Sequence, residues 1–290
     1  MAGAGGEEKE MVNGRPKVAI VGYGKVGKFL LEALPKAGWQ VTVVVTRQQG
    51  VQIAGCATLG SVHELPADIG IAILALRDKD IAGAVSNLSS VTTSPGRILA
   101  HTAGAFSAEI LGGAREKGWK VMAWHPMQTF TGDDNPALLK GVTFGIDGDP
   151  EAVKVGEALA RDLGGVPFRV PQDLRREYHL GAVIACNLLT GLVAEACVVL
   201  QRAGMSEERA LEAVTPLMQA TIENIAHKGI AASISGPLVR GDLETIKQHF
   251  EVLHALPDAE KLYRMLSLVL LDRLEKTDAR TDLKRVLSNK

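Results

Sequence analysis

The run Gly22-Tyr23-Gly24-Lys25-Val26-Gly27 follows directly on an apolar, β-branched stretch (Lys17 to Gly22) and opens a helical one (Lys25 to Leu34). A G-x-G-x-x-G motif in that position commits the chain to a strand, a tight turn and a helix, with a second strand, Gln40 to Thr46, closing the unit. The first glycine permits the turn, the second lets a backbone approach a pyrophosphate, and the third lets helix and strand pack closely. The helix N-terminus adds unpaired amides and a positive dipole end, so the same segment is a candidate phosphate cradle.

The alternation continues through an apolar strand at Ile69 to Leu76, a helix near Asp80 to Leu88, and a strand at Arg97 to His101. A helix at Ser107 to Lys117 and strands near Lys120 to Trp124, Val142 to Ile146 and Val166 to Val170 complete it, with Asp149-Pro150 opening a helix that ends at Gly164-Gly165. Strands that alternate with helices predict a parallel sheet covered on both faces. After Pro171 strand signals almost vanish. Helices are expected at Asp173 to Ala203, at Glu207 to Lys228 between Ser206 and Gly229, from Asp242 to Leu256, and from Asp258 to Leu274. The predicted fold is therefore an α/β Rossmann domain, doubly wound with a mostly parallel sheet, over residues 17–170. An all-α helical domain follows over 171–290, and residues 1–16 are expected to be a disordered extension.

Charge narrows the partners. With 32 Lys and Arg against 33 Asp and Glu the net charge is −1, which leaves no bulk field for nucleic acid or an anionic membrane. Twelve aromatic residues (three Trp, three Tyr, six Phe) offer little for base stacking. Cys56, Cys186 and Cys197 form no paired or metal-ligand spacing, so no metal site is expected. No secretory signal is visible before Pro16, and a cytoplasmic protein is expected. Leu180 to Leu200 is about long enough to cross a bilayer, but it carries Asn187 and Glu195 and is read as a buried core helix rather than a membrane span.

Candidate site residues fall into three groups. The cofactor group is Gly22, Tyr23, Gly24, Lys25, Val26 and Gly27, with Thr46 and Arg47 at the end of the second strand, Leu76 ending the third, and His101 and Thr102 ending the next. An NAD site carries an acid at the end of its second strand; a hydroxyl beside a guanidinium suits a 2′-phosphate, so NADP(H) is favoured. The catalytic group is His125, His179 and Asn187. His179 and Asn187 are eight residues apart and so share roughly one helix face. His101, His125 and His179 can each hold a ligand or merely satisfy backbone, and the sequence leaves both readings open. The substrate group is Gln128, Arg240, Thr245 and His249: Arg240 can hold a carboxylate bidentately, and Asp242 reads as a helix cap.

The order G-x-G-x-x-G, H-T-x-G-A-x-S-A-E-x-L, H-P-M-Q-T-F, Y-H-x-x-x-V-x-x-x-N and G-P-x-x-R-G-D-x-x-T-x-x-x-H resembles the Rossmann-like oxidoreductases that carry a C-terminal domain of unknown function 2520 (DUF2520). The likeness runs from about Lys17 to Leu274. That family is similar to the wider 6-phosphogluconate dehydrogenase-like group, with its ketopantoate, pyrroline-5-carboxylate and prephenate enzymes. The resemblance implies an NADP-dependent enzyme, often dimeric, with a small acidic substrate held between the two domains. Ketopantoate reduction, for pantothenate synthesis, is its specific candidate. A prephenate-type dehydrogenase, a cyclic imine reductase and a non-catalytic NADP-sensing protein are the alternatives. Two positions depart from the pattern. Ala103 stands where the family often has Ser, and Val183 where the wider group has its acid/base Lys. A histidine, His179 or His125, is then expected to carry the proton, with Asn187 on the reacting oxygen.

Overall fold

The computed structural model describes residues 15–47, 53–88, 96–274 and 278–288. All but the last two residues of the expected 1–16 extension lie outside them. The chain divides into two compact units, residues 1–183 and 184–290. Pro171, where the sequence pattern changes, precedes that division by the first turns of one helix.

Among the described residues, eight strands form one sheet in the first unit: β1 (Lys17–Val21), β2 (Val41–Val45), β3 (Ala57–Leu59), β4 (Ile69–Leu74), β5 (Ile98–His101), β6 (Lys120–Pro126), β7 (Thr143–Gly148) and β8 (Val166–Arg169), in the order β3-β2-β1-β4-β5-β6-β7-β8. All neighbours are parallel except β6 and β7. From β1 the chain winds first towards β3 and then returns to β4, so the topological switch point lies between β1 and β4, where open α/β sheets bind ligands. The α/β class, doubly wound and mostly parallel, is as the sequence predicts.

Successive strand residues face opposite sides, so the core is double. Val18, Ile20, Ile71, Ile73 and Trp124 pack on one face against α1 (Lys25–Lys36) and α4 (Pro150–Asp162). Ala19, Val21, Ala72, Leu74 and Val121 pack on the other, with Ile81 and Val85 of α2 (Asp78–Asn87) and Ala114 of the one-turn α3 (Gly112–Arg115). The helix expected at Ser107 to Lys117 is instead a 3-10 turn, Ala108–Leu111, followed by α3. Two adjacent glycines at 112 and 113 weaken a continuous helix there, and the Ala108 amide is drawn to Asp147 at 2.7 Å. Asp149 precedes α4 with Pro150 at its first position, but its carboxylate accepts from Val121 N at 2.8 Å and from Arg115 at 3.1 Å rather than capping the helix.

Beyond β8 come α5 (Arg175–Ala185), α6 (Asn187–Arg202), α7 (Glu207–Lys228), the single turns α8 (Ile230–Ser233) and α9 (Pro237–Arg240), α10 (Leu243–Leu253), α11 (Pro257–Leu271) and α12 (Asp278–Ser288). Ser206 caps α7 through Arg209 N, and Gly229 ends it at φ +80°. In the second unit Leu238, Ile246, Leu271, Leu283 and Leu287 form one small core, and Cys197, Ala210 and Val214 another. The single long helix expected at Asp173 to Ala203 is interrupted at Cys186, whose φ of −116° and ψ of −70° separate α5 from α6. Its expected burial is also overturned. The most apolar part of Gln172–Arg202 is only 6% buried, and by length and composition that stretch could cross a membrane. Leu188 is 59% exposed and Leu217, on α7, 68%.

The glycine spacing at the switch point is enforced by the protein itself. Gly22 turns at φ +104°, where a Cβ would meet Ala75 O at 2.4 Å, and a Cβ on Gly27 would meet Gly22 O at 1.9 Å. Gly27→Ala should therefore push α1 off β1 and lower unfolding stability by about 1–3 kcal/mol, the usual cost of overpacking, read from urea unfolding.

Candidate functional site

A groove of about 840 Å³ opens at the switch point, lined by Gly22, Tyr23, Gly24, Thr46, Arg47 and Leu76 of the expected cofactor group. Gly24 is exposed, and a Cβ there would meet nothing within 4 Å, so no protein contact accounts for glycine at this position. Close approach of a ligand to the backbone at Gly24 would account for it. The first amides of α1 have no partner within the helix and Lys25, Val26 and Gly27 supply them. Sequence reasoning missed Ser61, Arg77 and Lys79, which line the same groove. Arg77 holds Asp80 at 2.7 Å, and the pair's neighbours Lys79 and Arg47 help draw the Asp80 carboxyl below its ordinary range, after Arg77 itself. Arg47, Arg77 and Lys79 and the Thr46 and Ser61 hydroxyls, gathered beyond the ends of β2, β3 and β4 beside the Arg77-paired Asp80, with no acid closing β2, fit a dinucleotide with a 2′-phosphate.

His101 and Thr102 do not line this groove. His101 is fully buried; Ala103 N donates to its Nδ1 at 3.2 Å, and its Nε2 therefore donates to Ser107 O at 3.1 Å. Burial pushes its pKa down to about 4. With both nitrogens spent on backbone, His101 braces the loop after β5 rather than meeting a cofactor. Thr102 likewise gives its hydroxyl to Leu74 O at 3.3 Å.

The loop after β5 leads to a second cluster within the same unit. A Cβ on the buried Gly104 would lie 2.5 Å from His179 Nδ1 and 2.8 Å from His125 Nε2, so two imidazole nitrogens converge on a glycine that leaves them room. The rings stand edge to face, 6.0 Å apart between centroids. His179 Nδ1 is buried with no hydrogen-bond partner, a polar atom that a ligand can satisfy. His125 Nδ1 lies 3.2 Å from the Tyr178 hydroxyl. Burial, reinforced by the nearby Arg175 cation and then by His179 and His101, pushes the His125 pKa down to about 3, so its imidazole is neutral at pH 7.

Arg175 locates this cluster. It is 1% exposed, donates from Nε to Phe106 O and from Nη2 to Gly145 O, both at 3.1 Å, and brings Nη1 to 3.1 Å from Asp147 Oδ2. Burial lowers the arginine's pKa and raises that of Asp147; the ion pair opposes both shifts. Sequence reasoning missed Arg175, Asp147 and the role of Tyr178.

The remaining expected residues lie elsewhere. Gln128 turns back to accept from Thr129 N at 2.8 Å. Asn187 begins α6, past the break at Cys186, and is exposed. In the second unit Asp242 caps α10 through Thr245 N, as the sequence suggests, and takes the Thr245 hydroxyl at 2.7 Å. Arg240 is exposed, with Asp242 3.8 Å away. His249 Nδ1 pairs with the Tyr263 hydroxyl at 2.9 Å beside a mostly apolar groove of about 350 Å³.

Residues 2–126 match the model of a Rossmann-like domain, and residues 142–269 match the domain of unknown function DUF2520. No curated protein matches the sequence. Among solved structures, a Bacteroides fragilis protein assigned as an NADP oxidoreductase is similar over 88% of this chain and 97% of its own, at 22% identity and a TM-score of 0.71. A Thermotoga maritima protein is similar over 92% and 100%, at 20% identity and 0.70. A Plasmodium falciparum pyrroline carboxylate reductase with NADP bound is similar over 84% and 96%, at 13% identity and 0.57. At these identities the likeness is one of fold.

His101 and His125 both carry folded-state pKa values below the unfolded value of about 6.5, so the unfolded chain binds more protons between those limits. The stability they contribute is complete above about pH 6.5 and is lost as pH falls towards 4. Urea midpoints should therefore drop from pH 7 to pH 4.5, and His101→Gln should flatten that drop.

Proposed function

We propose that this chain, whose halves are a Rossmann-like and a DUF2520 domain, is an NADP(H)-dependent oxidoreductase that interconverts a small carboxylate-bearing carbonyl compound and its alcohol. The observation that carries the reading is the pairing of an open glycine cradle at the sheet's switch point with two converging imidazoles in the same unit. When bound, the cofactor supplies the hydride; the protein supplies position and a proton. Adjacent strands lie about 4.8 Å apart, so the ends of β4 and β6, two strands apart, are separated by roughly 10 Å, a distance a dinucleotide reaches along the sheet edge. Gly22, Gly24 and the amides of Lys25, Val26 and Gly27 take the pyrophosphate, Thr46 and Arg47 the 2′-phosphate with Arg77 beside them, and His125 and His179 exchange the substrate proton. The neighbouring fold with NADP bound supports the cofactor choice.

Ketopantoate is the first substrate to test, on the motif resemblance, ahead of cyclic imines and prephenate-type compounds. Arg240 is carried as carboxylate anchor and Asn187 as a partner of the reacting oxygen. The chain is also proposed to act as a homodimer. The exposed Leu188, Leu211, Leu217, Ile222 and Met265 of the second unit favour a covered surface, and light scattering of the purified chain should report twice the chain mass. A monomer that partitions onto lipid vesicles would assign that surface to a membrane instead.

Calorimetric titration should show NADPH binding at least tenfold tighter than NADH, with Arg47→Glu reversing the preference. Gly24→Ala should leave the urea midpoint unchanged and weaken NADPH by tenfold or more. NADPH oxidation against 2-oxo acids, ketopantoate and cyclic imines then identifies the substrate, and Arg240→Ala should raise the KM of an acidic one far more than that of NADPH. Tight NADPH binding without turnover on any compound would favour a sensor.

A further inference from the structure

The Tyr178 hydroxyl touches three polar groups at once. Gly145 N approaches it at 3.1 Å, His125 O lies 3.3 Å away and His125 Nδ1 3.2 Å away. A hydroxyl has one proton to give and two lone pairs to accept with. The Gly145 amide can only donate and the His125 carbonyl can only accept, so the amide fills one lone pair and the carbonyl takes the single proton. One lone pair remains for the third contact, and only an Nδ1–H on His125 can use it. The alternative, in which the hydroxyl donates to Nδ1, leaves the His125 carbonyl facing an oxygen with no proton between them.

We infer that Tyr178 is a positioning residue that locks His125 in its Nδ1–H form, so that Nε2 presents a lone pair at Gly104 and His125 acts as hydrogen-bond acceptor and base towards the substrate. Gly145 is what admits the tyrosine: a Cβ there would meet the Tyr178 ring at 2.5 Å. Residues 125 and 145 face each other across the antiparallel β6·β7 pair, so the hydroxyl is anchored at a single rung of the sheet. The ring itself lies under the Arg175 guanidinium, 5.4 Å from its centroid.

The consequence deepens the proposed reaction and rests on it in one respect, that substrate reaches Nε2. An acceptor nitrogen complements a reacting atom that carries a proton, such as the hydroxyl of an alcohol; a carbonyl oxygen offers it nothing to accept. In the oxidative direction the hydroxyl proton passes to Nε2 and yields an imidazolium, while the carbinol hydrogen leaves with its electron pair as hydride to the oxidised nicotinamide cofactor. In the reductive direction the neutral ring first takes a proton from solvent water, and the imidazolium so formed gives it to the oxygen as hydride arrives at the carbon. His179 Nδ1 approaches the same Gly104 position and is the second polar atom there.

The test reads tautomers directly. Long-range ¹H–¹⁵N spectra of the ¹⁵N-labelled full chain at pH 7, with and without NADP+, should show the His125 ring protonated at Nδ1 and bare at Nε2, with His125→Asn used only to assign the signals. Tyr178→Phe should lose that fixed form, giving an Nε2–H or averaged ring. It should also lower kcat about tenfold while leaving the KM for NADPH unchanged. A wild-type ring protonated at Nε2, or an unaltered tautomer in Tyr178→Phe, would overturn the inference even in an active enzyme. An Nδ1–H ring in a protein that turns over no substrate would overturn the base role together with the hydride-transfer reading beneath it. Because the wild-type spectrum decides the first point, a Tyr178→Phe chain that fails to fold does not shield the claim.

Discussion

Burying the Arg175 guanidinium is the constraint on which the proposed proton site depends. A charge taken out of water costs several kcal/mol unless it is surrounded by partners. Here those partners are the Phe106 and Gly145 carbonyls and the Asp147 carboxylate, drawn from the loop after β5 and from β7. Asp147 in turn accepts from Ala108 N at 2.7 Å, which ties down the far end of the same loop. The loop after β5 and strand β7 are thus both fixed to one side chain at the start of α5. One turn later the helix delivers Tyr178 and His179 to the ends of β6 and β5. That anchoring brings the start of α5 to His125, which β6 itself holds in register with Gly145 of β7.

Glycines do complementary work on both halves of the site. Gly22 and Gly27 are required by the protein's own backbone, which leaves no space for a Cβ at either. Gly104 and Gly145 are required by side chains, the imidazoles in one case and the tyrosine ring in the other. Gly24 is required by neither, and its exposed backbone is left open to a ligand. The distinction separates residues whose replacement unfolds the sheet edge from one whose replacement obstructs binding.

What the sequence made legible follows from locality. The phosphate turn was readable because its glycines occupy fixed offsets between a strand and a helix, and the parallel sheet because its strands are apolar on both faces. The caps at Ser206 and Asp242 are also local signals. The Arg175 network was hidden, since its carbonyl partners lie 30 and 69 residues earlier and meet it only once β6 and β7 are in register. The break at Cys186 was hidden too, because the stretch from Leu180 to Leu200 is apolar almost throughout and gives no period to mark where one helix ends. His101 misled for the opposite reason: a histidine at the carboxyl edge of a parallel strand looks like a ligand contact, and only its two backbone bonds show that it is a brace.

The switch-point groove and the imidazole pair are proposed to serve one cofactor and one substrate. A crystal structure of the chain with NADP+ bound tests it most directly. The account predicts the pyrophosphate over Gly24, the 2′-phosphate at Arg47 and Arg77, and the nicotinamide directed along the sheet edge towards His125 and His179. A dinucleotide bound with its nicotinamide turned away from those histidines, or phosphates seated anywhere but the first turn of α1, would contradict it.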